Sequence, residues 1–170
     1  MHCKKQNFIS SLSAIALGFA CLTMATTSHA QSNESVVRDW NEVMLNAIRN
    51  DLARPNVHAR NLFHFTEGVY FLQLSTEGAD AAGIMSEVQN WPAANDALLQ
   101  IQNDAAAFDH AVAAFGYRMI QLRYAQSPGW AFTLSNLVTA FINSTSSTPN
   151  VLLSTSPAAA WGWACAEAIN

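Results

Sequence analysis

The feature that most constrains this chain is a helical repeat of apolar residues that runs on almost unbroken and stops mainly at prolines. Val37, Trp40, Met44, Ile48 and Leu52 recur at spacings of three and four, which places them on one face of a helix. Asp39, Glu42 and Arg49 lie off that stripe, and Ser35 or Asn33 can cap its start. Pro55 pushes Arg54 out of the α region and ends this helix. It then suits the first turn of the next helix, where its missing N–H costs nothing. Residues 76–91 carry Ile84, Val88 and Trp91 and end at Pro92, and residues 93–103 read as a shorter helix. In residues 105–125, Phe108, Val112, Phe115, Met119 and Leu122 form one face, with Arg118 and Arg123 off it. Ser127–Pro128 and Ser156–Pro157 read as cap-plus-proline starts, leading into helices at 132–142 and from 158 onward. The Ser/Thr-rich residues 143–150 read as a loop, and Asn143-Ser144-Thr145 within it matches a glycosylation sequon, which matters only in a eukaryotic secretory route. The fold class expected is an all-α helical bundle.

The second helix, over residues 55–72, concentrates the polar side chains. Asn56, Arg60, His64 and Glu67 follow one another at spacings of four, four and three, while Ala59, Leu62, Phe63, Phe65, Val69 and Tyr70 cover most of the remaining circumference. A helix apolar around most of its surface is usually buried. Its polar stripe must then find partners, because a buried unpaired charge is costly. Glu67 is placed to meet His64 one turn back, and Arg60 to meet His64 or a neighbouring carboxylate. Arg54, His58, Arg60, His64 and Glu67 therefore form the candidate polar cluster. His58 and His64 are six apart, a spacing that does not align two metal ligands on one helical face. Arg54 and Arg60 at the helix start suit either an anion or inter-helix ion pairs, and the ion pairs are the simpler reading. His64 with Glu67 would make an acid–base couple, against a plain structural hydrogen bond. Asp109 and His110 read as solvated.

The N-terminus reads as a targeting segment. Lys4 and Lys5 precede an apolar run over residues 8–20, and Ser28-His29-Ala30 offers the small residues that signal peptidase requires. Cleavage near Ala30 would start the exported chain at Gln31 and place it in the periplasm or outside the cell. The apolar run is too short for a bilayer span, which needs ~20 residues. Cys21 as a lipoprotein cysteine is the minor alternative. Residues 1–30 are thus set aside as a signal peptide, and residues 31–170 as a single helical domain.

Without that segment the chain has no lysine, and six arginines face twelve acidic residues, a net charge of −6. Such a surface argues against nucleic acid, which needs a cationic stripe, and against an anionic membrane. One remaining cysteine, Cys165, cannot form an internal disulfide, and it reads as a buried residue among Trp163, Ala164 and Ala168. No nucleophile elbow, phosphate loop, zinc spacing or EF-hand loop is present in the sequence.

Three stretches carry a family likeness: WNEVMLNAIRNDLARPNVHARNLFH at 40–64, FDHAVAAFGYRMIQLRYAQSPGWAFTL at 108–134 and, more weakly, STSPAAAWGWACAEAI at 154–169. In this order they resemble the N-terminal helical region of bacterial vanadium-dependent haloperoxidase-like proteins, which belong with the type-2 phosphatidic acid phosphatases. The resemblance implies the N-terminal half of a larger helical fold. It also brings departures. Tyr70 is followed by Phe71 where relatives tend to carry aspartate. The family holds vanadate or phosphate with a lysine, two arginines, a Ser-Gly-His segment and a second histidine, all in its C-terminal half. None of those motifs is in this sequence, so vanadate is implied only for full-length relatives and no catalytic, cofactor or metal residue carries over.

Three readings follow: an incomplete haloperoxidase-like protein inactive alone, a periplasmic helical binding or interaction module without catalysis, and an enzyme using His64, Glu67 and the nearby arginines. The first implies exposed apolar surface, including Trp130, Trp161 or Trp163, for self-association or for a missing C-terminal half.

Overall fold

The computed structural model describes residues 30–77 and 94–170, with side chains from 36 and from 96 onward. The signal-peptide segment, Cys21 and most of the expected helix at 76–91 lie outside the described residues. Seven helices and no strand occur among those described: α1 (Ala30–Arg49), α2 (Pro55–Thr76), α3 (Ala94–Asn103), α4 (Ala105–Tyr124), α5 (Trp130–Thr145), α6 (Pro149–Thr155) and α7 (Pro157–Ile169). The fold is an all-α bundle.

Helix α4 is the centre of it. The Asp104 side chain caps its start by accepting from the Ala106 N–H at 3.0 Å. Twelve of its twenty residues are buried, among them every position from Ala111 to Tyr117, so burial extends all round the helix. That requires neighbours on each side, and α1, α2, α3, α5 and α7 all pack against it.

Small residues set how closely those neighbours approach. A side chain at Gly162 of α7 would run into the Ala111 backbone carbonyl of α4, and one at Gly116 of α4 would strike the Trp40 ring of α1. Trp40 is fully buried there, edge-on to Phe141 of α5 at 6.4 Å between ring centres, and its indole N–H donates to Ser144 Oγ at 3.1 Å. One side chain thus joins α1, α4 and α5. Gly68 of α2 likewise receives the Phe115 ring of α4. The Ser156 hydroxyl accepts from the Ala159 N–H at 3.2 Å with Pro157 in the first turn, the cap-plus-proline start expected for α7.

Several expectations need correction. The buried face of α1 runs through Val36, Trp40, Met44 and Ala47. Val37 and Ile48 are only half-buried, and Leu52 is 58% exposed beyond the helix end. In α2 the error is one of phase. Its buried face is His58, Asn61, Phe65, Gly68, Val69, Phe71, Leu72 and Ser75, while Phe63 and Tyr70 are 64% and 56% exposed. Asn61 and Gly68, seven residues apart, meet Tyr124 and Phe115 of α4, so small and polar residues share the inner face with Phe65, Phe71 and Leu72. Ser127–Pro128 does not cap a helix. Helix α5 begins at Trp130, and the Ser127 hydroxyl instead donates to the Asn50 carbonyl at 3.2 Å, tying this turn to the end of α1. The 143–150 segment is not all loop: α5 continues to Thr145 and ends on Ser146 with φ 54°, and Pro149 opens α6. Trp161 is buried and Trp130 and Trp163 are half-buried, so the exposed apolar surface is not where tryptophans suggested; Phe132, at 74%, is its largest element.

Gly162→Ala should destabilise the protein near the upper end of the ~1–3 kcal/mol typical of overpacking, because a backbone carbonyl cannot rotate away. Gly116→Ala should cost less, since the Trp40 ring can yield. Thermal unfolding followed by circular dichroism measures both, and an unchanged midpoint for Gly162→Ala would contradict the packing described.

Candidate functional site

The polar cluster expected on α2 is divided by the fold. Arg54 is exposed and held by its neighbour Asp51 at 2.7 Å, a local pair and not a bridge between helices. Burial pushes the Asp51 carboxyl up, but hydrogen bonds from Arg54 and from the Leu52 N–H, with the charge of Arg54, overcome it and leave it below its ordinary range. His58 is buried, stacks on Tyr124 of α4 at 6.2 Å, and donates from Nε2 to the Leu52 carbonyl at 2.9 Å. It fastens the α1–α2 turn onto α4. Asn61 donates to the Tyr124 hydroxyl at 3.1 Å within the same contact.

Asn56 and Arg60 are exposed and His64 and Glu67 half-buried, so the stripe is an outward edge of α2 and not a buried one. The partner of His64 is Arg123 of α4, whose Nη2 lies 3.0 Å from His64 Nδ1. A guanidinium can only donate, so Nδ1 accepts and the proton of the neutral ring sits on Nε2. Burial, and then the charge of Arg123, push His64 below its ordinary value, with Glu67 acting in the opposite sense and Arg60 adding to the depression. Glu67 makes no hydrogen bond to His64 among the described residues, so the structural hydrogen bond expected between them is not formed, nor is the alternative acid–base couple. The same Arg123 Nη2 reaches the carbonyls of Ile169 and Asn170 at 3.2 and 3.3 Å, placing a cation at the C-terminal end of α7. Sequence reading missed Arg123 as a member of this group. It lies 59 residues from His64, and its place off the apolar face of its helix was the sole signal.

Two further arginines have carboxylate partners. Arg118 pairs with Glu167 at 2.8 Å and lies over the Trp163 ring at 4.8 Å, and the Trp163 N–H donates to the same carboxylate. Arg49 meets Glu42 at 3.7 Å. Cys165 is buried, and burial pushes its thiol far above the usual range, which makes it inert. Among the described residues no group of three or more His, Cys, Asp or Glu side chains could hold a metal ion, and no helix is long and apolar enough to cross a membrane.

Asp109 and His110 are half-buried and not solvated, because neighbours surround α4 on every side. Asp109 Oδ1 is buried without a hydrogen-bond partner, and burial pushes the carboxyl up to about 6. Burial pushes His110 down, against the charge of Asp104.

A carboxyl whose folded pKa exceeds its unfolded one binds its proton more tightly when folded, so ionisation opposes folding. For Asp109 this penalty is absent below about 3.8 and complete above about 6. Asp109→Asn should therefore stabilise the protein at pH 7.5 by about 1 kcal/mol once solvent screening is allowed for, with the gain shrinking toward pH 4. Paired melts of variant and parent at both pH values cancel contributions from His64. A difference independent of pH would contradict the assignment.

Comparison with known proteins finds no match to this chain: no protein-family model, no curated protein and no solved structure.

Proposed function

We propose that this chain is the N-terminal helical scaffold of an exported vanadium-dependent haloperoxidase-like protein, and that it performs no catalysis on its own. The three stretches at 40–64, 108–134 and 154–169 occur in the family's order and support the relationship. The observation that carries the inactive reading is the dispersal of cations. Among the described residues Arg38, Arg49, Arg54 and Arg118 each lie beside a carboxylate, which leaves Arg60 and Arg123. Holding vanadate tightly enough for catalysis needs more converging cations and N–H donors than that, whereas weak surface binding of an oxyanion does not. After residue 30 the sequence has no lysine, and it has no Ser-Gly-His segment. This donor set does not fit vanadate, and no step is assigned to it.

In this reading the apolar side chains left outside, Phe63 and Tyr70 on α2 and Phe132 on α5, would pack against the family's C-terminal half. Export rests on Lys4, Lys5, the apolar run and the Ser28–Ala30 site. A second reading, a periplasmic binding module without catalysis, draws on the Arg60, His64 and Arg123 group.

The purified protein should give no vanadate-dependent bromide oxidation with hydrogen peroxide; a rate that scales with added vanadate would overturn the inactive reading. The same sample separates the two readings by solution size and by binding of a hydrophobic dye. The scaffold reading predicts self-association or dye binding, reduced by Phe63→Ser with Phe132→Ser. A compact, dye-silent monomer with cooperative unfolding would favour the binding module. Fusing residues 1–40 to a reporter active only after export should give signal, abolished by Lys4→Glu with Lys5→Glu.

A further inference from the structure

His64 and Arg123 meet where the outward edge of α2 passes the C-terminal ends of α4 and α7, and Arg60 lies one turn before His64 on the same edge. Every acceptor of Arg123 falls on one nitrogen: Nη2 serves His64 Nδ1 and the carbonyls of Ile169 and Asn170. Nε is buried with no partner, and Nη1 meets no acceptor among the described residues. A buried N–H without an acceptor is rare in folded proteins and often marks an unplaced water or ion. Arg60, one turn before His64, is exposed and has no ion pair among the described residues. Its charge nevertheless acts on both His64 and Arg123. Like charges that act on one another repel, and neither arginine forms an ion pair with a side-chain carboxylate among the described residues. The carboxylate that acts on His64, Glu67, makes no ion pair with either arginine among the described residues.

We propose that Arg60, His64 and Arg123 bind a small oxyanion, a carboxylate or a phosphate, at the surface between α2 and α4. Arg60 supplies a mobile fork that matches two oxygens of such an anion. Arg123, its Nη2 fixed by the end of α7, presents Nη1. Neutral His64 adds its Nε2–H as an uncharged donor. Glu67 opposes the anion from the next turn of α2, and so sets the affinity low. The fork geometry favours oxyanions over a spherical halide.

The test is titration of the purified protein with sodium phosphate and, separately, sodium acetate, against sodium chloride at equal ionic strength. The His64 ring signals are followed by nuclear magnetic resonance. Saturable shifts in the millimolar range with either oxyanion, absent with chloride, are expected, and the tighter of the two identifies the ligand class. Arg60→Gln, at an exposed position, should weaken binding by about tenfold, the equivalent of one charged hydrogen bond. Glu67→Gln should tighten it by roughly threefold as a repelling charge is removed. Oxyanion responses equal to chloride, or binding unchanged in Arg60→Gln, would overturn the proposal.

Discussion

Gly162 of α7 rests on the Ala111 carbonyl of α4, and this close approach is what the rest of the bundle depends on. Ala158, Ala159 and Ala166 lie on the same face of α7 as Gly162, and Ala114 lies on the same face of α4 as Ala111, all of them buried. Helices that meet through such residues lie nearer to one another than bulky side chains allow. With α7 so close, α4 is enclosed on that side by backbone and methyl groups. Its larger residues, Phe108, Phe115, Met119 and Ile120, remain fully or almost fully buried in the same core. Trp40 then fixes α1 and α5 at Gly116, and Phe115 fixes α2 at Gly68. Three glycine contacts thus position four helices around one.

Two kinds of signal in the sequence were legible. Boundaries were, where chemistry is local: Pro55 opens α2, and Ser156 with Pro157 starts α7. The apolar face of α4 was legible because its large residues recur in one phase. What failed was the choice of inner face on α2, where Phe63 and Tyr70 carried the bulk but Asn61 and Gly68 meet α4. Periodicity finds a stripe without saying which stripe a neighbour will accept. That choice depends on Phe115, far away in sequence, needing the notch at Gly68. The Ser127 turn failed for a similar reason, because its hydroxyl is used by Asn50 of α1.

The candidate site was half legible. Arg60, His64 and Glu67 share one edge of α2, as their spacing requires, but that edge faces outward where a buried stripe was expected. Their surroundings were not legible. His58 went to the core against Tyr124, Arg54 to Asp51, and His64 to Arg123 on a different helix. Polar side chains near a helix junction look like a cluster in sequence because they are adjacent there. In the fold each is assigned by whichever unsatisfied group lies closest, here a turn carbonyl, a carboxylate and the open end of α7.

Amide hydrogen exchange measured residue by residue tests the central place of α4 most directly. If α4 is the strut on which the other helices are hung, the amides of Ala111–Ile120 and their contacts around Gly162 will exchange slowest, at the rate set by global unfolding, with α5 and α6 opening earlier. Exchange in α4 as fast as in α6, or protection centred on α2 instead, would contradict this account.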